Sequence, residues 1–358
     1  MSNSASIITL AKYEHDFINQ WVEYHLKIGF THFYILIDNI LEKQPEYIIN
    51  DNISKYVTLI HMDETDVIKY FGDTFSNVMK PFHHASLIIH PLINHKIINA
   101  NLIKEDWVTA IGIDQFIYLN GITIQEYLLN LDEKCTQIIF PWSYCCHNIN
   151  DSNYDYFLKN INLYKCDYAS TSGHSNGMIK TKNMLKIDIT SHGFTSKSPT
   201  QYVHIIDEYY HMGSELHIRN IFKIMNDKLI NIPFDNLKIS SFHIVLRNIN
   251  EYFIKGFFYW KRDKNNNKID NAFYYLSKDI KEKNINNYKH YGDYIRAGVN
   301  IFIKTPILLP KENINLKIPD LENKNLDNTY YDIIMNKLNK YDITKEEFMD
   351  WKQYLLSS

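Results

Sequence analysis

Residues 7–38 change periodicity twice, and that change restricts the fold more than any other feature of the chain. Ile7-Ile8-Thr9-Leu10-Ala11 is a short apolar run, the pattern of a buried strand. Lys12 to Asp16 breaks it. From Phe17 the apolar positions turn helical: Phe17, Ile18, Trp21, Val22, His25, Leu26 and Ile28 share one face, and Gly29 stands where a helix C-cap belongs. His32 to Ile37 resumes strand character and ends on Asp38-Asn39. Strand, helix and strand over this length form a β-α-β unit with parallel strands and a right-handed crossover. Glu14 and Asp38 then leave the sheet on the same edge. An acid ending the second strand of such a unit commonly accepts hydrogen bonds from a ribose. The chain has no GxGxxG, so a Rossmann-type dinucleotide site is not supported.

The second informative stretch is Trp107 to Phe116. Trp107 to Ile113 reads as a buried strand that ends on Asp114. A lone acid there is either a turn residue or a group aimed into the crevice where open α/β sheets bind ligands. Between these landmarks, Glu46 to Asn50 reads as helix, Tyr56 to Ile60 as a third strand and Phe75 to Asn101 as a long helical stretch. His83, His84, His90 and His95 lie on that stretch, as a metal cluster or as packed and surface histidines; no carboxylate or cysteine joins them at ligand spacing. Thr123 with Glu126 three residues on is a capping-box pattern opening a helix within Gly121 to Leu131. Gln137 to Phe140 is a strand that feeds Trp142, either a core residue or a stacking platform for a sugar. Tyr168 to Gly177 reads as a loop, Met178 to Lys180 and Ile239 to Leu246 as strands, and Asn250 to Trp260 as a helix carrying Lys255.

Composition rules out several classes. Of the 358 residues 45% are hydrophobic and 22% charged, an ordinary globular balance. A net charge of −3, with basic residues dispersed among acids, gives no case for nucleic acid as a partner. The four cysteines, Cys135, Cys145, Cys146 and Cys166, show neither CxxC nor zinc spacing and read as reduced thiols of a cytoplasmic protein. The N-terminus lacks the basic start and apolar core of a signal peptide, and no window has the roughly 18 apolar residues of a transmembrane segment. Beyond residue 261 the chain becomes Asn-rich and charged, and it is read as a C-terminal, mainly helical appendage over 261–358.

Several segments, in order, resemble the nucleotide-sugar glycosyltransferases of GT-A fold, in particular the family 2-like and family 92-like group. That group opens with a strand, a Lys-Asn-Glu and a helix containing Trp-Val-Glu-Tyr-His; here stand Lys12-Tyr13-Glu14 and Trp21-Val22-Glu23-Tyr24-His25. Its next strand ends in Asp-Asn, matched by Asp38-Asn39, and its metal motif Asp-x-Asp-Glu-Phe by Gly112-Ile113-Asp114-Gln115-Phe116. A later Trp resembles Trp142, a later His resembles His192 with Lys180 before it, and a closing His…Glu-Tyr…Lys-Gly resembles His243, Glu251-Tyr252 and Lys255-Gly256. The resemblance covers about residues 7–256. Two acids of the metal motif are replaced, by Gly112 and Gln115, the Asn of Lys-Asn-Glu is Tyr13, and the family's Phe-Gly after the Trp is Cys145-Cys146.

The resemblance implies an α/β GT-A-type, Rossmann-like fold over 1–260: a mixed, mostly parallel sheet flanked by helices, with a nucleotide-sugar half over 1–120 and an acceptor half over 121–260. It implies an inverting transfer from a nucleotide-diphosphate sugar, a UDP-sugar favoured, to a glycan or protein acceptor. It assigns the donor to Glu14, Asp38, Asp114, Trp142, Lys180 and Lys255, with Arg247 as further charge, and Mn²⁺ (or Mg²⁺) to Asp114 and His243. Glu14 is alternatively a helix-start acid, and each basic residue alternatively a solvated surface group. The catalytic base stays unassigned among Asp167, Asp188, Asp207 and Glu208. Two other readings remain: a degenerate relative that binds nucleotide or glycan without turnover, and an α/β protein serving another role. The tail either forms a homodimer contact or covers the acceptor groove.

Overall fold

The computed structural model describes residues 3–12, 14–15, 17–40, 43–71, 90–146, 164–165, 175–188, 193–214, 221, 223–224, 237–244, 344 and 346. Residues 1–143 with 167–243 form one unit, and residues 144–166 with 244–358 a second. In the second, the described residues pair antiparallel, Cys145 with Lys165 and Cys146 with Tyr164. The boundary expected near residue 260, the helix over 250–260 and the tail lie outside the described residues, apart from Thr344 and Glu346.

The first unit is α/β. Its strands are β1 (Ala5–Ala11), β2 (His32–Asp38), β3 (Val57–Met62), β4 (Trp107–Ala110), β5 (Gln115–Leu119), β6 (Gln137–Cys146), then β7 (Tyr164–Lys165) of the second unit, β8 (Ser175–Lys180), β9 (Met184–Asp188), β10 (Gly193–Ser196), β11 (Thr200–Ile205), β12 (Glu208–Gly213) and β13 (Ile239–Ile244). The main sheet runs β12-β11-β6-β8-β4-β1-β2-β3. Four of its neighbouring pairs are parallel: β11 with β6, β4 with β1, β1 with β2 and β2 with β3. The helices are α1 (Ile18–Lys27), α2 (Asp51–Ser54), α3 (Glu64–Phe71), α4 (His90–Ile93), which continues as a π-helical turn over Asn94–Asn99, and α5 (Ile124–Leu129).

The β-α-β unit forms as its pattern requires. β1 is buried on both faces, which explains why it reads as a continuous apolar run. On one face Ile8, Tyr34, Leu36, Val108 and Ile179 pack with Leu92, Ile97, Met184 and Phe194. Toward α1, Trp21 and His25 meet Phe33 edge-on. The helix stops at a Schellman motif: the Phe30 amide donates to the His25 carbonyl and that of Gly29 to Leu26, with Gly29 at φ +102°, a conformation a side chain resists. Thr123 and Glu126 form the expected capping box at α5.

Several elements differ from the sequence reading. Residues 46–50 are not helical: the Asn19 side chain accepts from the Asn50 amide and donates to the Ile48 carbonyl, so helix α2 starts only at Asp51. The strand from Trp107 ends at Ala110, not Ile113. Ser175 to Gly177, read as loop, is strand, held antiparallel to β6 from Pro141 to Ile139. The β11–β12 hairpin, like β9 and β10, has no counterpart in the sequence reading. Its turn residues, Ile206 and Asp207, both take positive φ, yet neither is the Asn-Gly or Asp-Gly that signals such a turn. Of the long helical stretch, only 90–101 is described. Among the described residues no helix is long and apolar enough to cross a membrane.

One contact carries the small sheet. β13 pairs antiparallel with one edge of β5. The other edge is taken by α1: Trp21 Nε1 donates to the Gln115 carbonyl (2.8 Å), Tyr24 Oη donates to the Ile117 carbonyl (2.9 Å), and His25 Nε2 accepts from the Ile117 amide (3.3 Å). His25 Nδ1 donates to the Trp21 carbonyl, which sets the neutral tautomer. His25 is fully buried, and loss of solvation pushes its pKa down to about 3 against the opposing pull of that carbonyl.

The unfolded chain therefore takes up a proton at His25 below pH 6.5 that the folded chain refuses until about pH 3. Stability from this group is complete above pH 6.5 and is lost as pH falls through that window. At pH 5.5 the loss is about 1.4 kcal/mol. Urea unfolding at pH 7.5 and 5.5 should show the wild type losing about that much more than His25→Gln, which keeps a donor and an acceptor but does not titrate. Equal losses would exclude the linkage.

Candidate functional site

Strand order reverses at β1. The chain adds β2 and then β3 on one side of it, and β4 on the other. All four strands are parallel, so their C-terminal ends share one edge, and the crevice of an open α/β sheet lies outside such a reversal. Lys12 follows β1 there, Asp38 ends β2, and the turn Gly112–Gln115 follows β4. Antiparallel β8 brings its first residues, Ser175 and Asn176, to this edge.

Asp114 is thus a turn residue, and the turn is tightly closed. The Gln115 amide donates to the Gly112 carbonyl (3.0 Å), and Gln115 Oε1 accepts from the Gly112 amide (3.1 Å). The Ile111 amide donates to the Ile8 carbonyl, tying the turn to β1. Asp114 is half-buried, and its Oδ1 lies over Gly112: a Cβ built there would stand 2.5 Å from it. A side chain at 112 and the present place of the Asp114 carboxylate are mutually exclusive.

The β5–β13 register brings the next residue in. His243 is the partner of Gln115, one residue from Asp114. Because the Ile117 amide and carbonyl face α1, Ile117–Ser241 is a non-hydrogen-bonded pair, and by alternation Gln115–His243 is another, with Cα atoms about 4.5 Å apart. Beside them the fully buried Asn176 donates from Nδ2 to Ser241 Oγ (2.6 Å), joining β8 to β13.

At the end of β2 the Asp38 carboxylate is buried. Oδ2 pairs with Lys12 Nζ at 3.2 Å and Oδ1 accepts from the Ile40 amide at 3.1 Å. The Lys12 side chain is 26% exposed, that of Asp38 only 2%. The loop carrying Glu14 is fastened beneath: the Glu14 amide donates to Tyr47 Oη, His15 Nε2 donates to the Pro45 carbonyl, and the His15 ring stacks on Tyr47 at 3.7 Å. Half-buried Glu14 also accepts from the Phe17 and Ile18 amides through its carbonyl, as a helix-start residue does.

Other expected residues stand elsewhere. Lys180 pairs with Trp107 at the start of β4, the end of that strand opposite the turn. Its Nζ donates to the Glu133 carbonyl (2.7 Å) and lies over the Trp107 ring, and partial burial lowers its pKa. It does not join Asp114, because an antiparallel strand carries its last residue away from that edge. Trp142 lies in β6, described by its backbone. Asp207, in the turn after β11, pairs with Lys238 at 3.3 Å, and Glu208 accepts from Tyr210 Oη. β11 is three strands from β4, about 14 Å by strand spacing. Asp188 ends β9. His83, His84, Asp167, His192, Arg247 and Lys255 lie outside the described residues. His95 is exposed against the Tyr70 ring. Among the described residues no three His, Cys, Asp or Glu side chains group as a metal site.

Sequence reasoning passed over Lys12 as a candidate. The available signal was a lysine directly after the first strand of a β-α-β unit whose second strand ends in an acid. No protein-family model and no curated protein matches the chain.

Gly112→Ala should turn the Asp114 carboxylate out of its present place at a cost below about 1 kcal/mol, because the atom in the way ends a rotatable, half-buried side chain and not packed core. Urea unfolding checks this; a loss of about 1–3 kcal/mol would show that the surroundings hold the carboxylate in place.

Proposed function

We propose that this chain is a GT-A-type glycosyltransferase that moves a sugar from a nucleotide-diphosphate sugar, a UDP-sugar favoured, to a glycan or protein acceptor with inversion. The observation that carries the reading is the meeting, at the strand-order reversal, of the Asp114 turn with the β13 position of His243. The nucleoside end of the donor would lie over the ends of β1 and β2, by Glu14 and Asp38, and the diphosphate toward the Gly112–Gln115 turn.

The donor set fits a divalent ion only in part. Asp114 and His243 would be its protein ligands, a carboxylate and an imidazole, which suits Mn²⁺ better than Mg²⁺. Gly112 offers no ligand, and Gln115 Oε1 is engaged by the Gly112 amide. Two protein ligands leave the other positions to diphosphate oxygens and water, so the ion fits as one that arrives with the donor. When bound, it supplies Lewis-acid stabilisation of the leaving diphosphate. The protein's own part is to hold the nucleoside and to fix Asp114 through the closed turn. An inverting transfer also needs a base for the acceptor hydroxyl; of the acids considered for it, Asp207 forms an exposed ion pair with Lys238. The absence of acids at 112 and 115 favours a second reading, a relative that binds nucleotide or glycan without turnover.

A thermal-shift screen with UDP, GDP, CMP and their sugar conjugates, with and without Mn²⁺, tests both. Binding at a hundredfold excess over Kd raises stability by about 2.7 kcal/mol. A Mn²⁺-dependent shift with a uridine nucleotide is expected, and Asp114→Ala should lose its Mn²⁺-dependent part. Donor hydrolysis or transfer by the wild type separates the enzyme from the binder. No shift with any nucleotide overturns the proposal.

A further inference from the structure

We infer that Lys12, rather than the carboxylate it pairs with, is the group at the end of this β-α-β unit that faces the donor, and that it binds the donor's diphosphate. The inference rests on the glycosyltransferase reading above and names one of its binding residues. Asp38 has one oxygen on Lys12 Nζ and the other on the Ile40 amide, with its side chain 2% exposed. Such a carboxylate is poorly presented to a ribose. Lys12 is the more exposed partner, its side chain 26% exposed. It follows β1, and β1 lies between β2 and β4. Lys12 therefore stands between the Asp38 end, where the nucleoside would lie, and the turn that carries Asp114. A diphosphate links those two ends of the donor. Lysine serves phosphate as a point charge, without a planar fork to align. Lys180, a cation the sequence offered for this role, is held by the Glu133 carbonyl at the far end of β4. Asp38 then acts as a positioning residue: fixed by the Ile40 amide, it holds the ammonium at the crevice edge.

The test compares a nucleoside diphosphate with its nucleoside, by calorimetry on the full chain: UDP against uridine and GDP against guanosine, in EDTA and in Mn²⁺. Lys12→Met should weaken binding of the diphosphate at least tenfold and leave the nucleoside within twofold, and Lys12→Arg should restore much of the loss. Lys12→Met strands a buried carboxylate, so it is also made in an Asp38→Asn background, where the neutral carboxamide keeps an acceptor for the Ile40 amide and needs no cation. The same selective loss, measured against Asp38→Asn alone, is expected there. Equal loss for nucleotide and nucleoside overturns the inference, because Lys12 would then act only by organising the strand end. Unchanged binding of both also overturns it and leaves the glycosyltransferase reading standing. Failure of the wild type to bind UDP or GDP, with or without Mn²⁺, overturns both.

Discussion

The hydrogen bonds from α1 to the outer edge of β5 are the constraint on which the rest of the candidate site depends. A strand has two edges. β13 covers one edge of β5, and the other is buried, where each unmet amide or carbonyl would cost about 1–3 kcal/mol. Trp21, Tyr24 and His25 meet these groups from successive turns of one helix. All three are buried, so the contact forms in low dielectric, where a satisfied polar group is strongly preferred over an orphaned one. The clamp works only if β5 starts at Gln115, because the Trp21 indole takes the Gln115 carbonyl. That start sets where the turn after β4 must close, and so where Asp114 stands. It also sets which β5 groups remain for β13, and with them the register that brings His243 opposite Gln115. A helix distant in sequence therefore decides which two backbone positions, those of Asp114 and His243, come to the same strand end.

This gives the Trp-Val-Glu-Tyr-His segment a physical reason that its hydrophobic pattern does not contain. By spacing, Trp21 and His25 are simply members of an apolar face. Their burial agrees with that, yet their ring nitrogens act as backbone partners, with His25 kept neutral so that Nε2 can accept. An aliphatic residue of similar size would fill the space and leave Ile117 with an unmet amide.

Legibility followed the same division between pattern and partner. The β-α-β unit, its Gly29 stop and the Thr123–Glu126 box were readable because each is local: period, cap and turn chemistry act within a few residues. What could not be read is set by distant partners. The 46–50 segment is not helical, and Asn19 takes two of its backbone groups. The strand from Trp107 stops at Ala110 although Ile111 and Ile113 continue the apolar pattern, because those buried side chains belong to a turn. The β11–β12 hairpin turns on Ile206-Asp207, and although Asp tolerates left-handed backbone, the β-branched Ile206 resists it, so only its strands' pairing could announce the turn. Within the candidate site the acids were legible as residue types at strand ends, whereas the direction of β8, which separates Lys180 from Asp114, was not.

Gly112, Gln115 and the closed turn are one structural fact. In the Gly112–Gln115 turn the Asp114 carboxylate occupies the space a side chain at 112 would need, and the Gln115 side-chain oxygen is spent on the Gly112 N–H. That carboxamide closes the turn without adding charge. An acid at 112 beside Asp114 would raise the cost of ionising either, since like charges at such range disfavour one another. With a single carboxylate the turn would, on the glycosyltransferase reading, present one negative charge to the donor's diphosphate. Repulsion of an anion is correspondingly weaker than at a motif of three acids, and a cation on the neighbouring strand end gains in relative weight. Lys12 is held there by a buried partner. On the glycosyltransferase reading, the diphosphate would then meet one carboxylate at the turn and, on the neighbouring strand end, an ammonium whose position is fixed by the buried Asp38.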